Sequence, residues 1–594
     1  MQNNQSNLLL AFMLSATILI SWTWFYQKPR TEKIAAEKAA MEKLAKSTKT
    51  ETASDNTKMA DNKTSSVIKS ENSETIDTPK TAVILAERSD IIKKSEAERI
   101  TISSDELHGS INLKGAKFDD LTLVKYHQTI DDKSPEVALL SPSESKDRYF
   151  ADFGWISSDS EVELPKPDTI WQASNKILTP QNPVTLSWQN KQNILFLIEV
   201  KLDEHYMFSI AQSIKNNSGK QVSLAPYGRV NRFLRGAYNS NYILHEGPIG
   251  VFDGVLKEFN YKKIIKENNQ KFTAKKGWLG ITDKYWITSI IPDQNLSFDS
   301  SFTYSLNAGQ NSYNTEFVGT EFKVANNEEL KFDHLFFAGA KKVTLLDEYA
   351  KKYDIALFDR AVDFGWYYFL TKPFFFILKF FNEIIGNYGL AILAMTVLVK
   401  LLMYPMAHKS FSMFGKMKTL QPKIEKIRKE CEGDKMKMNK EIMELYKKEK
   451  INPASGCLPM LIQIPVFFSL YKVLYVTIDM RHAPFYGWIK DLSAPDPTSI
   501  FNLFGLLPFE TPGFLMIGIW PILMGLTMVL QQKVSPQATD PTQAKVMKML
   551  PYFLIFVFAS FPAGLLIYWT WSNILSVAQQ WYIGSKIEVK KSKN

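Results

Sequence analysis

The sequence predicts a polytopic α-helical membrane protein, with six transmembrane helices of which five cluster in the C-terminal third, and a large antiparallel β-sandwich between the first helix and the other five. Three observations predict it: 19 uncharged residues at positions 8–26, side-chain alternation with a period of two from about 101 to 345, and five further apolar runs in the last 210 residues. At 594 residues the chain is also too long for one core, since single cores stop growing near about 250–300 residues. The overall apolar share of 45% averages a polar N-terminal half with an apolar C-terminal third.

The first apolar run ends in Trp22, Trp24 and Tyr26, and is long enough to cross ~30 Å of hydrocarbon with aromatic rings at the interface. A cleaved signal peptide is the alternative, but no basic stretch precedes the run and no small-x-small site precedes the aromatics, so 1–27 is read as an anchor. Residues 28–100 read as a disordered linker: from 31 to 100 there is no Phe, Trp, Tyr or Gly, and too little apolar surface to offset the entropy of ordering. The body at 101–345 alternates, as in Ile111-Asn112-Leu113, Leu121-Thr122-Leu123 and Val184-Thr185-Leu186-Ser187-Trp188, with turns such as Asn217-Ser218-Gly219 between runs. Within a connecting segment at 346–385, residues 359–381 carry Phe364, Trp366, Phe369, Phe374, Phe375, Phe376, Phe380 and Phe381, broken by Lys372-Pro373 and Lys379, a pattern suited to an interfacial amphipathic helix.

Five spans are expected at about 386–407, 457–478, 514–532, 546–561 and 563–583, together a five-helix bundle at 386–585, with a basic tail at 586–594. The short apolar run 499–508 is below spanning length and reads as re-entrant or interfacial. Thirteen Lys and Arg residues fall in the loop 408–456 and only Arg481 and Lys490 in 479–513, which places the first loop in the cytoplasm and both termini with it, leaving the β-sandwich outside. The first span alone, with Lys28, Arg30 and Lys33 behind it and no base before it, predicts the reverse; the five later spans outweigh it. This topology also accounts for the net charge of +10, without any nucleic-acid specificity.

Lys400 lies inside AILAMTVLVKLLMYPMA, where a charge costs roughly 2.5–3.5 kcal/mol unless it meets water, a partner or the interface. Two readings stand: a cation lining a wet cavity in the bundle, or a side chain snorkelling over about six residues, roughly 9 Å, to the cytoplasmic end. Thr396, Gln463, Gln531, Gln532, Ser572 and Asn573 could line one polar groove together, though each alone suits a helix-to-helix hydrogen bond. Pro405, Pro459, Pro465, Pro521, Pro551 and Pro562 imply bent, adaptable helices. Apolar residues at 413, 417, 420, 424, 427 and 431, a Gly433-Asp434 break, then Met438, Ile442 and Leu445 predict an antiparallel helical hairpin, facing headgroups or docking a partner. Two cysteines, seven scattered histidines and no phosphate-binding loop give no catalytic set, metal site or cofactor.

At VKLLMYPMAHKSF, LQPKIEKIRKE, ELYKKEKINPASGCLPMLIQIPVFFSLYKVL, MRHAPFYGWIKDLSAPDP and FPAGLLIYWTWSNILSVAQQ the chain resembles the YidC/Oxa/Alb insertase family. The anchor and the outer body, with KGAKFDDLTL and YFADFGW, look like the Gram-negative form, whose periplasmic domain is a β-supersandwich similar to sugar mutarotases. The resemblance implies an inner-membrane insertase and chaperone, not an enzyme, acting alone or with the Sec translocon on nascent membrane proteins. Ribosomes or targeting factors would meet the hairpin and the basic tail, and lipids the bundle. It implies a groove open to cytoplasm and lipid, holding a cation that is usually Arg in the family and is Lys400 here, and it carries substrate contacts to Thr396 and Phe467 and, more loosely, to Gln463, Tyr568 and Trp569. Lysine keeps the charge without the bidentate fork of arginine. The segment 501–520 is longer than the common pattern, and the resemblance gives it no role. The rival readings are a membrane-tethered carbohydrate-binding protein and a small-solute transporter.

Overall fold

Alternation in the sequence becomes alternation in burial. In the strand Ile194–Leu202, the side chains of Ile194, Phe196, Ile198, Val200 and Leu202 are buried while those between them reach toward the surface, the signature of a strand with one face on a core. The computed structural model describes residues 87–234, 244–307, 310–431, 434–449, 458–507, 509, 511–512, 516–534 and 541–592. The expected anchor at 1–27, and the linker as far as 86, lie outside them.

The β body is two stacked sheets, one of 11 strands and one of nine. Val222–Leu234 lies between Tyr149–Ile156 and Gln310–Gly319 in the larger sheet, and Met207–Asn216 between Ile194–Leu202 and Glu329–Ala340 in the smaller, with Ile210 opposite both Val200 and His334. Pairing is antiparallel apart from the short match of Arg99–Ser103 with Ile177–Leu178. Phe118 and Phe153 from the larger sheet meet Phe208 and Phe336 from the smaller with centroids 5.2–5.9 Å apart, mostly edge to face, the geometry ring quadrupoles favour. The expected antiparallel sandwich is therefore present.

Order begins ahead of the boundary read at 101, with a short helix at Arg88–Lys94 and a strand from Arg99. A register shift at Ser110/Ile111 sets Ser110 opposite Asp120 and Ile111 opposite Phe118, leaving Asp119 as the extra residue. That bulge turns two consecutive carboxylates inward, where Asp119 and Asp120 are 0% and 4% exposed. Arg99 pairs with Asp119, Arg88 with Asp120, and the Ser110 hydroxyl donates to Asp120 Oδ2 at 2.6 Å. Composition says nothing of such long-range pairs, which is why the ordered start was read too late.

After the last strand, helix α1 (Val343–Lys352) buries Val343, Leu345, Leu346 and Tyr349. The 3-10 turn Phe358–Ala361 follows, with Phe358 against Trp278, whose Nε1 donates to Ala356 O at 3.1 Å. The expected amphipathic helix is α2 (Tyr368–Ile385), starting nine residues later than read because Phe358 and Phe364 belong to the core. Lys372 does not break it, since its Nζ donates to Asp347 and Asp359, both at 2.7 Å. Phe369, Phe376, Phe380 and Ile384 form an exposed stripe, while Phe374, Phe375 and Leu378 are buried.

The bundle follows as α3 (Tyr388–Leu402), α4 (Tyr404–Glu430), α5 (Lys435–Lys448), α6 (Leu458–Val476), α7 (Ile519–Val534), α8 (Pro541–Phe558) and α9 (Ala563–Ser592). Among the described residues no single helix is long and apolar enough to cross a membrane; α3 and the start of α4 meet that requirement only as a pair bent by 61°. The span read at 386–407 is thus corrected: α3 stops at Leu402, and Pro405, in the first turn of α4, prevents a straight continuation. Pro465 and Pro551 are accommodated inside α6 and α8, whereas Pro562 separates α8 from α9. The run 499–508 holds one 3-10 turn, Leu503–Gly505. α9 continues past 585 to Ser592, through residues read as a separate tail.

The hairpin forms as the spacing predicts. Leu420 and Ile424 of α4 and Tyr446 of α5 make a small core of their own, flanked by Met413, Met417, Ile442 and Leu445. Asp434 caps α5 by accepting from the backbone N–H of Met436 and Lys437. The β body is fastened to the bundle by charge: Lys472 of α6 donates to Asp363 Oδ2 at 2.9 Å, and the same carboxylate accepts from the backbone of His245 and Gly365.

Candidate functional site

Tyr568, Ser572 and Ser576 recur every four residues, so they share one face of α9 over roughly 12 Å. That face collects the groups singled out in the sequence. Lys400 Nζ donates to Ser576 Oγ at 2.8 Å, and Ser576 Oγ donates on to the carbonyl of Ser572 at 2.8 Å. Two turns away Gln463 Nε2 donates to the Tyr568 hydroxyl. Beside them Phe467 packs on Trp569 with centroids 4.7 Å apart, and Phe558 closes on Trp569 at 4.8 Å. A cationic end and an amide end are thus joined by a hydroxyl stripe with an aromatic wall.

Lys400 is half-buried and, among the described residues, has no carboxylate partner. It sits in the last turn of α3, three residues from the bend, not six residues inside a straight span. There the carbonyl ends of the helix favour a cation, and Gln579 Nε2 satisfies the Lys400 carbonyl at 3.3 Å. Leu401 and Leu402 beside it are 63% and 71% exposed, so the lysine separates an apolar outer face from the polar stripe.

Thr396 is placed differently from the others: it is 1% exposed and its hydroxyl donates to Ile392 O at 2.6 Å within its own helix, backing the site without offering a free donor. Gln532 bonds Met547 O at 2.7 Å, and Asn573 bonds Thr527 Oγ1 at 3.1 Å, so both serve helix-to-helix contacts. Sequence reasoning missed Ser576 and Gln579, the residues that touch Lys400. Their signal was the small polar repeat at 572, 573 and 576 on an otherwise apolar helix. Ser469 Oγ, Thr570 Oγ1 and Trp571 Nε1 are buried in the bundle without a partner among the described residues. No group of three metal-ligating side chains occurs among the described residues. A cavity of about 490 Å³ lies elsewhere, on the β-sandwich, lined by Ser157, Thr273, Asp299 and Glu321 among others.

Two family models match in tandem: YidC periplasmic domain over residues 99–377 and 60Kd inner membrane protein over residues 380–591. The chain is 50% identical over 584 residues to the membrane protein insertase YidC of Rickettsia bellii, covering 98% of this chain and 99% of that one. It is 49% identical over 586 residues to its counterpart in Rickettsia felis, again covering 98% and 99%. A crystal structure of an active YidC insertase with its first transmembrane domain resolved is similar over 81% of this chain and 92% of that chain, at 17% identity and a TM-score of 0.33. The chain therefore belongs to the YidC family of membrane protein insertases of the bacterial inner membrane, a family of insertases rather than enzymes, and the β-sandwich is its periplasmic domain.

Proposed function

We propose that the polar face of α9 is the transit surface of the insertase. The hydrophilic end of a nascent membrane protein enters from the cytoplasm, is held by Lys400 and the hydroxyl stripe, and leaves outward while its apolar segment slides past Phe467 and Trp569 into lipid. The observation that carries this reading is Lys400 bonded to Ser576 with no carboxylate beside it among the described residues: an uncompensated cation in an apolar bundle draws in acidic and polar groups. Gln463 and Tyr568 supply the next amide and hydroxyl, and Thr396 shapes the wall behind them. Burial of apolar area in the bilayer, at roughly 25 cal/mol per Å², drives the transfer. The membrane potential assists acidic ends at ~2.3 kcal/mol per charge per 100 mV.

The reading includes six spans, both termini in the cytoplasm, an anchor at 1–27, a linker behind it, an insertase bundle at 386–585 and a cytoplasmic hairpin within 408–456. The basic loop supports that orientation. Ribosomes, targeting factors and Sec components are the partners it assigns to the hairpin, the tail and the bundle flank. A photo-crosslinker at Phe467 is expected to capture a ribosome-stalled single-span chain, while one at the exposed, basic Lys426 of the hairpin captures ribosome or targeting factor instead. Capture of the stalled chain at neither 467 nor 400 would remove the reading.

A further inference from the structure

The segment between α6 and α7 has no assigned role, and its chemistry is unusual for a water-facing loop. From Ser499 to Phe509 it carries no charge, and Leu503, Phe504, Leu506, Leu507 and Phe509 are between 40% and 83% exposed. Soluble surfaces rarely gather so many large apolar side chains in one place. The tip is also held in a costly conformation: Leu503 and Phe504 have φ of 50° and 59°, a region bulky residues avoid. Backbone bonds from Phe504 N to Ser499 O at 2.7 Å and from Leu507 N to Asn502 O at 3.1 Å maintain it.

The base of this loop is built firmly. Ile500 N donates to Ile517 O at 3.0 Å, closing the loop's neck. Asp496 accepts from Trp488 Nε1 at 3.1 Å, from both the amide and the hydroxyl of Thr498, and from Trp520 N at 2.8 Å, tying the neck to the first turn of α7. The neck is ringed by aromatics, with Tyr486 and Trp488 exposed and Phe485 6.1 Å from Trp520, a composition that marks the level where hydrocarbon meets headgroups. From there α7 presents exposed Leu523, Leu526 and Leu530 on one face, so a lipid-facing surface begins where the loop ends. The same connection touches the β body, through Tyr285 to Ser493 at 3.2 Å and Arg481 to His127 O at 2.5 Å. It therefore sits on the periplasmic side.

From this geometry we infer that the tip around Leu503, Phe504, Leu506 and Leu507 is a lipid anchor that dips into the outer leaflet, fixing the outer end of α7 at the membrane surface. Its occupant is lipid because the tip is uncharged, lies at an aromatic level, and is continuous with the lipid face of α7. The inference rests on the outward placement of this connection in the proposed topology. The test uses the full-length protein with Cys431 and Cys457 replaced by Ser, reconstituted in phosphatidylethanolamine–phosphatidylglycerol vesicles, with a nitroxide on Leu506→Cys and, in a second sample, on Lys490→Cys. At 506 the label is expected to collide with oxygen several-fold more often than with a water-soluble nickel chelate, and at 490 the order reverses. Preference for the chelate at 506 would overturn the anchor, and so would shielding from both agents, which would mean that a protein covers the tip. An impermeant thiol reagent added outside right-side-out vesicles should label Lys490→Cys; labelling only from inside would sink the topology, whatever the 506 result.

Discussion

Replacing Lys400 by Glu is expected to lower insertion of single-span proteins with acidic outer tails by at least about tenfold, whereas Lys400→Arg stays within about twofold of the parent. The reversal substitutes repulsion for attraction where the hydrophilic tail must rest. It also sets a carboxylate beside the carbonyl end of α3, which disfavours it. Each loss of about 1.4 kcal/mol is a factor of ten, less than the cost of stranding one charge at membrane depth. Arg keeps the charge and can still donate to Ser576. The check is protease protection of a reporter in cells depleted of their own insertase and supplied with each variant. Equal insertion by all three forms would remove the electrostatic role of position 400.

The second large effect concerns the periplasmic domain. Arg99→Met leaves Asp119 fully buried beside Asp120 with its partner gone, and breaking a buried pair from one side costs about 3–5 kcal/mol. The loss should fall near 3 kcal/mol, because Asp119, already pushed up to about 6 by burial against the pull of Arg99, can take a proton instead. For a domain of this size that is roughly 10 °C in melting temperature, read from thermal unfolding of the β-sandwich in the full-length protein. The pH dependence follows from the sign: losing Arg99 raises the folded carboxyl further above its parent value of about 6, so the variant's deficit relative to the parent grows as pH rises above about 6 and shrinks as it falls below it. Arg99→Met combined with Asp119→Leu removes both charges and should recover most of the stability. A double variant no better than the single one would mean that the pair is not what Arg99 contributes.

Periodicity made the sandwich and the hairpin legible in the sequence. Ile194–Leu202 alternates because one face is buried, and Leu420, Ile424 and Ile442 meet because they recur at helical spacing. What periodicity does not carry was missed. Asp119 and Asp120 are both inward only because a bulge breaks the alternation, and the ordered start at Arg88 depends on a partner 32 residues away. The end of α3 was misplaced because hydropathy runs on through Met403 and Tyr404 while Pro405 turns the backbone. Of the site, Lys400 announced itself by its charge in an apolar run and Gln463 by its amide. Ser576 continued the polar repeat of Ser572 and Asn573, but nothing in the sequence joined that repeat to Lys400, whose Nζ stands 2.8 Å from its hydroxyl.

The central claim is that water reaches Lys400 from the cytoplasmic side, and the most direct measurement is the reactivity of a thiol placed there. With Cys431 and Cys457 replaced by Ser, Lys400→Cys and Ser576→Cys should react with a charged, membrane-impermeant methanethiosulfonate added to the cytoplasmic face of inverted vesicles, while Leu402→Cys, on the lipid side, reacts far more slowly. Thiols at 400 and 576 as inert as the one at 402 would contradict it.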